Sequence, residues 1–300
     1  MTEIINWLPL SGKVDIANNL ISYIPSTLKN INGVEENIVA TFASNKNFDN
    51  GEIKFNFLFT DKISKFQIVL NSFTSEPQVY IGLNTVDAFS ILRLKDSKFD
   101  VLSSNGVLGS FNLNTYYDAR ITVIGSQINL YINGILVSSK EILIKKSQIQ
   151  IVFFGPSEIK IKDFRVVSQK PKAFVVMQFT EEYNQLYTEV IRPVCESFDL
   201  ECVRADECIT IGSIIEDIIN SIKESYVIIA DITPNNPNVF YEVGYAHAIN
   251  KPTILLADKK REKLPFDVSG FRTLFYENNI AGKSVIESKL RRFLDEITLK

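Results

Sequence analysis

The chain has 300 residues, 45% of them hydrophobic and 22% charged, with a formal net charge of -3. That balance excludes wholesale disorder and collagen-like or low-complexity character, and the length suffices for two domains with separate cores. The slightly negative charge gives no global attraction to a phosphate backbone, so a nucleic-acid partner is not expected.

The first residues, through Trp7-Leu8-Pro9, lack a cationic segment followed by an apolar stretch. No apolar run approaches the roughly 20 residues that cross a bilayer, so we expect a cytoplasmic protein with no membrane partner. The three cysteines, Cys195, Cys202 and Cys208, are odd in number and lack the paired spacing of a zinc site. Reduced thiols and no metal are the expectation.

From Glu36 to Val167 the chain reads as short alternating apolar segments broken by Gly, Asn, Asp and Ser, among them residues 51–57, 65–70, 120–124 and 127–132. A side-chain period of two with one buried face predicts antiparallel sheet. Asn133-Gly134 between two such segments predicts a tight turn, because both residues tolerate positive φ. Many short strands at this spacing predict a β-sandwich or jelly roll over residues 1–168.

Beyond the polar stretch Ser168 to Lys172 the period changes. Phe174 to Met177 is a continuous apolar run, as expected of a parallel strand covered on both faces. A helical period follows from Tyr183 to Phe198, then a strand at Leu200 to Val203. A helix near Ile211 to Glu224 carries Ile214, Ile215, Ile218, Ile219 and Ile222 on one stripe. Further strands are predicted at Tyr226 to Ala230, Thr253 to Leu256 and Thr273 to Tyr276, with a closing helix from Ser284 to Ile297. Strands alternating with helices predict a doubly wound, flavodoxin-like α/β domain over residues 172–300 with a mainly parallel sheet. Ligands on such sheets bind beyond the carboxyl ends of the strands.

The third of these strands ends at Asp231, and a helix opens after Asn236 and Pro237, which suit its cap and first position. Glu242 falls within about the first two turns, where the helix dipole favours the ionised form. An ionised carboxylate beside a strand-end crevice suits a nucleophile or electrostatic stabiliser. Gly244 and Ala246 are small enough for close approach of this helix to the sheet or to a ligand. His247 stands alone as the one histidine, so neither a catalytic triad nor a multi-His metal site is expected. Arg204, Asp206 and Glu207 follow the second strand, with Arg204 a candidate phosphate partner. Asp267 is a candidate for the mouth of the crevice. Asp258 to Lys263 reads as a solvated charged loop, and no Gly-rich phosphate loop is present.

The segment from Asp231 through Pro237-Asn238 to Tyr241-Glu242-Val243-Gly244-Tyr245-Ala246-His247, with Lys251 to Leu256 and the opening Ala173 to Phe179, resembles nucleoside 2-deoxyribosyltransferase-like domains and, more distantly, TIR domains that cleave NAD. The resemblance implies Glu242 as the nucleophile, with Asp231 and Asn238 orienting a ribose or base, Phe179 stacking on the base, and Gln178, Arg204, Asp206, Asn236 and Tyr245 completing the substrate site. Two departures stand out: Asn236 and Asn238 occupy the place of an acidic residue, and Gln178 and Phe179 that of an orienting tyrosine. The family also implies homo-oligomers.

In the first half, residues 48–53, 117–120, 131–134 and 159–166 resemble concanavalin A-like lectin and glucanase jelly rolls, without the Glu-x-Asp-x-Glu strand of the glucanases. That implies a binding or assembly module with a carbohydrate or protein partner. The leading expectation is therefore cleavage or transfer of an N-ribosyl bond in a nucleoside, nucleotide or NAD, needing no cofactor, as in stress or antiphage effectors. The alternatives are a non-catalytic nucleotide-signal sensor, or a lectin-like adaptor with a degenerate α/β domain.

Overall fold

The computed structural model describes residues 5–17, 19–29, 35–74, 77–207, 213–261 and 263–298. Cys208, Ile211 and Glu262, which entered the readings above, lie outside the described residues. The chain divides into two compact units, Met1–Val123 with Gln127–Gln169 and Ile124–Ser126 with Lys170–Lys300.

The first unit is built from two seven-stranded sheets. The first runs, in spatial order, Trp7–Ser11, Ala40–Phe48, Ser147–Phe154, Lys65–Leu70, Gln78–Leu83, Phe89–Lys95 and Lys98–Asn105. The second runs Ile135–Glu141, Gln127–Ile132, Tyr117–Ile124, Gly51–Phe59, Ile159–Ser168, Leu20–Ile24 and Lys13–Ala17. All their pairings given by register are antiparallel, a jelly-roll-like sandwich. The period of two does its expected work here. Ile53, Phe55, Phe57 and Phe59 on one strand and Phe66, Ile68 and Leu70 on another enter one shared core. Asn133 and Gly134 take φ of 48° and 79° in the turn between the Gln127–Ile132 and Ile135–Glu141 strands. The strands before Glu36 were not foreseen. Trp7–Ser11 pairs at an edge of the first sheet, and Leu20–Ile24 joins the second with Ile21 and Tyr23 in the core.

The second unit has a five-stranded parallel sheet. Numbered along the chain, its strands Lys172–Val176, Glu201–Arg204, Val227–Asp231, Thr253–Asp258 and Thr273–Tyr276 lie in the order second, first, third, fourth, fifth. Its helices are α1 (Glu181–Leu186), α2 (Arg192–Glu196), α3 (Ile214–Glu224), α4 (Pro237–Ala248), α5 (Phe266–Ser269) and α6 (Ile280–Thr298). Phe174, Val176, Ile228, Ala230, Leu255 and Ala257 pack on one face with Ile222 of α3 and Val239, Val243 and Ala246 of α4. The alternate residues Ala173, Val175, Ile229 and Leu256 are also buried, on the face served by α2 and α6. Burial on both faces explains why these strands read as continuous apolar runs.

Between α1 and α2 the helix widens into a π-helical segment, Tyr187–Ile191. Pro193 gives the cause: it lacks an N–H, and its ring would clash with a carbonyl one regular turn back. No helix among the described residues is long and apolar enough to cross a membrane.

The sandwich core depends on a cluster of aromatic rings centred on Phe57, which meets Phe55, Phe59, Phe66, Phe111 and Tyr117 at centroid distances of 5.4 to 6.2 Å. Phe57→Ala is expected to lower unfolding free energy by about 3–5 kcal/mol. Urea titration followed by far-UV circular dichroism measures it.

Candidate functional site

The order of the parallel sheet reverses between its first and third strands, and a cavity of about 740 Å³ lies beyond their carboxyl ends. Met177, Gln178 and Phe179 follow the first strand, Ala205 and Asp206 the second, and Asn236 and Asn238 the third. Ile214, Ile215 and Ile218 of α3 and Val239, Tyr241 and Glu242 of α4 complete the lining.

Helix α4 is placed by its start. The Asn236 side chain accepts a hydrogen bond from the Asn238 N–H at 3.0 Å, and Pro237 occupies the first turn. The preceding loop is clamped by Arg261, which donates to the carbonyls of Ile232 and Thr233 and to Asn235 Oδ1, the last at 2.6 Å. Arg261 was read as part of a solvated charged run. Its inward role depends on the fold of two distant loops, and nothing in its sequence neighbourhood signals it.

Glu242 is only 7% exposed, lines the cavity, and has no hydrogen bond or ion pair with a described residue. Burial pushes its carboxyl up to about 7. Burial thus opposes the ionised form that the helix dipole favours. Glu242 is the sixth residue of α4, past the first turn where the dipole acts, and desolvation outweighs what remains of it.

Asp231 does not line the cavity. It is fully buried, accepting from the Thr233 N–H at 2.8 Å and from the Tyr276 hydroxyl at 2.8 Å. Burial lifts its carboxyl to about 6 against these two donors, and burial, together with the nearby Asp231 charge, pushes Tyr183 up to about 12. Asp231 braces the loop after the third strand and closes the fifth strand onto it.

Arg204 is likewise committed elsewhere. Its guanidinium forks onto Asp206 at 2.6 and 2.7 Å and donates to Asn184 Oδ1 at 2.7 Å. Its plane lies 4.6 Å from the Tyr187 ring centroid and 5.4 Å from that of Phe179. With its donors and faces so engaged, it does not serve as the expected phosphate partner, and neither it nor Tyr245 lines the cavity. Glu207 turns away to Tyr187 and Arg192. Asp267 and His247 also lie outside the cavity lining, the latter stacked on Phe271 at 3.9 Å. Gly244 faces open space, so the close approach of α4 rests on buried Ala246 instead.

The structure therefore gathers Gln178, Phe179, Asp206, Asn236, Asn238 and Glu242 around one space. Sequence reasoning missed its apolar wall. Ile214 and Ile215 were assigned to the core stripe of α3, yet they are 76% and 59% exposed, and Ile222 is the stripe member in the core. The start of α3 stands away from the sheet, and the stripe that would have met it faces the cavity.

Cys195 and Cys202 are free thiols. The Cys195 thiol is pushed up by its hydrogen bond with Cys202 and by burial, which leaves it protonated and unreactive. Among the described residues no group of three or more His, Cys, Asp or Glu side chains could hold a metal ion.

No protein-family model matches the chain, and no curated protein matches it. Solved structures similar to it include a carbohydrate-binding module, CBM66, from Bacillus subtilis, at 9% identity and TM-score 0.41, covering 54% of this chain and 93% of that one. A prokaryotic β-1,3-1,4-glucanase (lichenase) derived from a mouse hindgut metagenome matches at 9% identity and TM-score 0.39, covering 53% and 90%. Apo Crh5 transglycosylase matches at 12% identity and TM-score 0.38, covering 55% and 80%. None of these three is a nucleoside 2-deoxyribosyltransferase or a TIR domain. The similar structures are named for glycans and glycosidic bonds, and the expectation of N-ribosyl cleavage or transfer is withdrawn. Asp231, sealed by Thr233 and Tyr276, lies outside the cavity lining, while Glu242 faces it.

The titration of Glu242 has a signed consequence. A carboxyl raised from 4.5 to about 7 on folding binds its proton more tightly in the native state. Native stability is then lost as pH rises through that interval. Glu242→Gln mimics the neutral acid, so the variant should match the wild type near pH 4 and exceed it by up to about 3 kcal/mol near pH 8. Parallel urea titrations across that range test this.

Proposed function

We propose that this chain is a lectin-like adaptor. Its concanavalin A-like β-sandwich unit recognises a neutral glycan, and its flavodoxin-like, doubly wound α/β unit has no assembled catalytic pair. One observation carries the reading, a pair of buried, unpartnered amides on the first sheet.

In that sheet Phe66, Ile68 and Leu70 face the sandwich core, as do Ile149, Ile151 and Phe153 and, on a third strand, Val79, Ile81 and Leu83. Alternation turns Gln67, Gln150 and Tyr80 to the opposite face. Register then sets two rows across it. Ala43, Gln150, Val69, Tyr80 and Leu92 form one, and Thr41, Val152, Gln67, Gly82 and Ser90 the other.

Gln67 is 6% exposed and Gln150 7%, and neither side chain makes a hydrogen bond to a described residue. Ser147 Oγ is the one side-chain polar atom among the described residues that is sealed from solvent without a partner, so both amide ends keep some access to solvent. An amide left half-buried and unpaired forgoes hydrogen bonds that a ligand can supply. An amide offers both donor and acceptor, matching a sugar hydroxyl, which is also both.

Tyr80 adds a ring and a hydroxyl, the latter donating to Gln78 Oε1 at 2.6 Å. Thr85 and Ser90 pair their hydroxyls at 2.5 Å beside Gly82. The two rows contain no charged side chain, which favours a neutral glycan over a sulfated or uronic one. In the α/β unit, the sealing of Asp231 by Thr233 and Tyr276 supports a binding role rather than a catalytic one.

The reading is tested by calorimetric titration with a panel of neutral and acidic oligosaccharides. At least one neutral member should bind, and Gln67→Ala with Gln150→Ala should weaken it by about tenfold or more while the melting temperature holds. Absence of binding by every neutral glycan, or binding indifferent to both substitutions, removes the proposal.

A further inference from the structure

The cavity of the α/β unit has an unusual charge balance, and it can be read without reference to the glycan face. Its polar groups are Gln178, Asp206, Asn236, Asn238, Glu242 and the Tyr241 phenol, and among the described residues no Lys, Arg or His lines it. Asp206 is already neutralised by Arg204. That leaves Glu242 as a carboxyl more than nine-tenths buried, facing the cavity, with no counter-ion supplied by a described residue.

The elements packed against α4 do not supply one either. α4 packs on α3 and on the Lys172–Val176, Val227–Asp231 and Thr253–Asp258 strands. Their charged groups are Glu216, Asp217, Lys223 and Glu224 on α3, Lys172 on the first strand, Asp231 on the third and Asp258 on the fourth, and none lines the cavity. On α4 itself, His247 is stacked on Phe271 and also lies outside the lining.

The rest of the wall is apolar. Phe179, Ile214, Ile215 and Tyr241 line the cavity while remaining exposed, and Ile218 and Val239 lie beside them. A flat hydrophobic body fits such a wall, and its burial is favourable at about 25 cal/mol per Å².

We infer that this cavity takes a cationic aromatic ligand, a ring bearing an amidinium or protonated amine, with the cation against Glu242 and the ring along the isoleucine wall of α3. An anion is disfavoured on both counts: it finds no free cation among the described lining residues, and its charge opposes ionisation of Glu242. Binding converts the Glu242 carboxylic acid to carboxylate, and its proton is released to the buffer. The ligand's fixed positive charge then replaces the proton as the compensating charge.

The test uses the whole chain and benzamidine, which stays cationic across the working range. Its binding by titration calorimetry should strengthen about tenfold between about pH 6 and pH 8, following the ionised fraction of Glu242. Near pH 6.5 the observed heat should change with the ionisation enthalpy of the buffer, reporting the released proton. Benzoate and benzyl alcohol, which keep the ring and lose the cation, should bind about tenfold more weakly or not at all. Glu242→Gln should lose the affinity and the pH dependence together. The pH series needs only the native protein, so it decides the matter even if the variant fails to fold. No binding of benzamidine at about 10 mM, equal binding of benzoate or benzyl alcohol, or an affinity flat across pH overturns the inference. None of these readouts involves Gln67 or Gln150, so the glycan reading and this one fail separately.

Discussion

The second unit turns on a carboxyl placed where water is largely withdrawn and no described residue provides a cation. Packing α4 against the parallel sheet through Val239, Val243 and Ala246 fixes the rotation of the helix, and that rotation points Glu242 at the cavity rather than at solvent. A residue one position away on the same helix, Tyr241, is 56% exposed. The cost of an uncompensated buried charge then sets the proton affinity of the site, because the neutral form is cheaper to keep out of water. The whole chemical character of the cavity, acid-lined and apolar-walled, follows from this one arrangement together with the capture of Arg204 by Asp206, Asn184 and the two rings.

The sandwich unit solves a different problem. Its inner faces are filled by aromatic and β-branched side chains in strict alternation, which leaves the outer pleat free to carry polar groups. On the first sheet the strand register brings Gln150 beside Val69 and Gln67 beside Val152 and Gly82. Neighbouring apolar side chains shield the two amides without satisfying them. Both units share one feature: a largely buried polar side chain with no hydrogen-bond partner among the described residues.

The resemblance that tied the second half to N-ribosyl chemistry rested on the segments 173–179, 231–247 and 251–256, and the chemistry it implied is not supported. A shared string fixes a helix, its cap and its small residues, because these are short-range effects. It does not fix whether Asp231 reaches the cavity, which depends on Tyr276 arriving from a strand 45 residues away. Nor does it fix the freedom of Arg204, which depends on Asn184 and Tyr187 across two other elements.

By itself the sequence determined the change of period from two to helical near residue 170, the Asn133-Gly134 turn, the cap of α4 at Asn236 and Pro237, and the alternation that fills the sandwich core. Each is set by residues within a few positions of one another, through backbone preference or the side-chain period. Only tertiary structure decided the protonation of Glu242, the sealing of Asp231, the engagement of Arg204 and the exposure of Ile214 and Ile215. It likewise decided the meeting of Gln67 and Gln150 on adjacent strands more than eighty residues apart. These depend on burial and register, which no single segment encodes, because desolvation and pairing are properties of what comes to lie alongside.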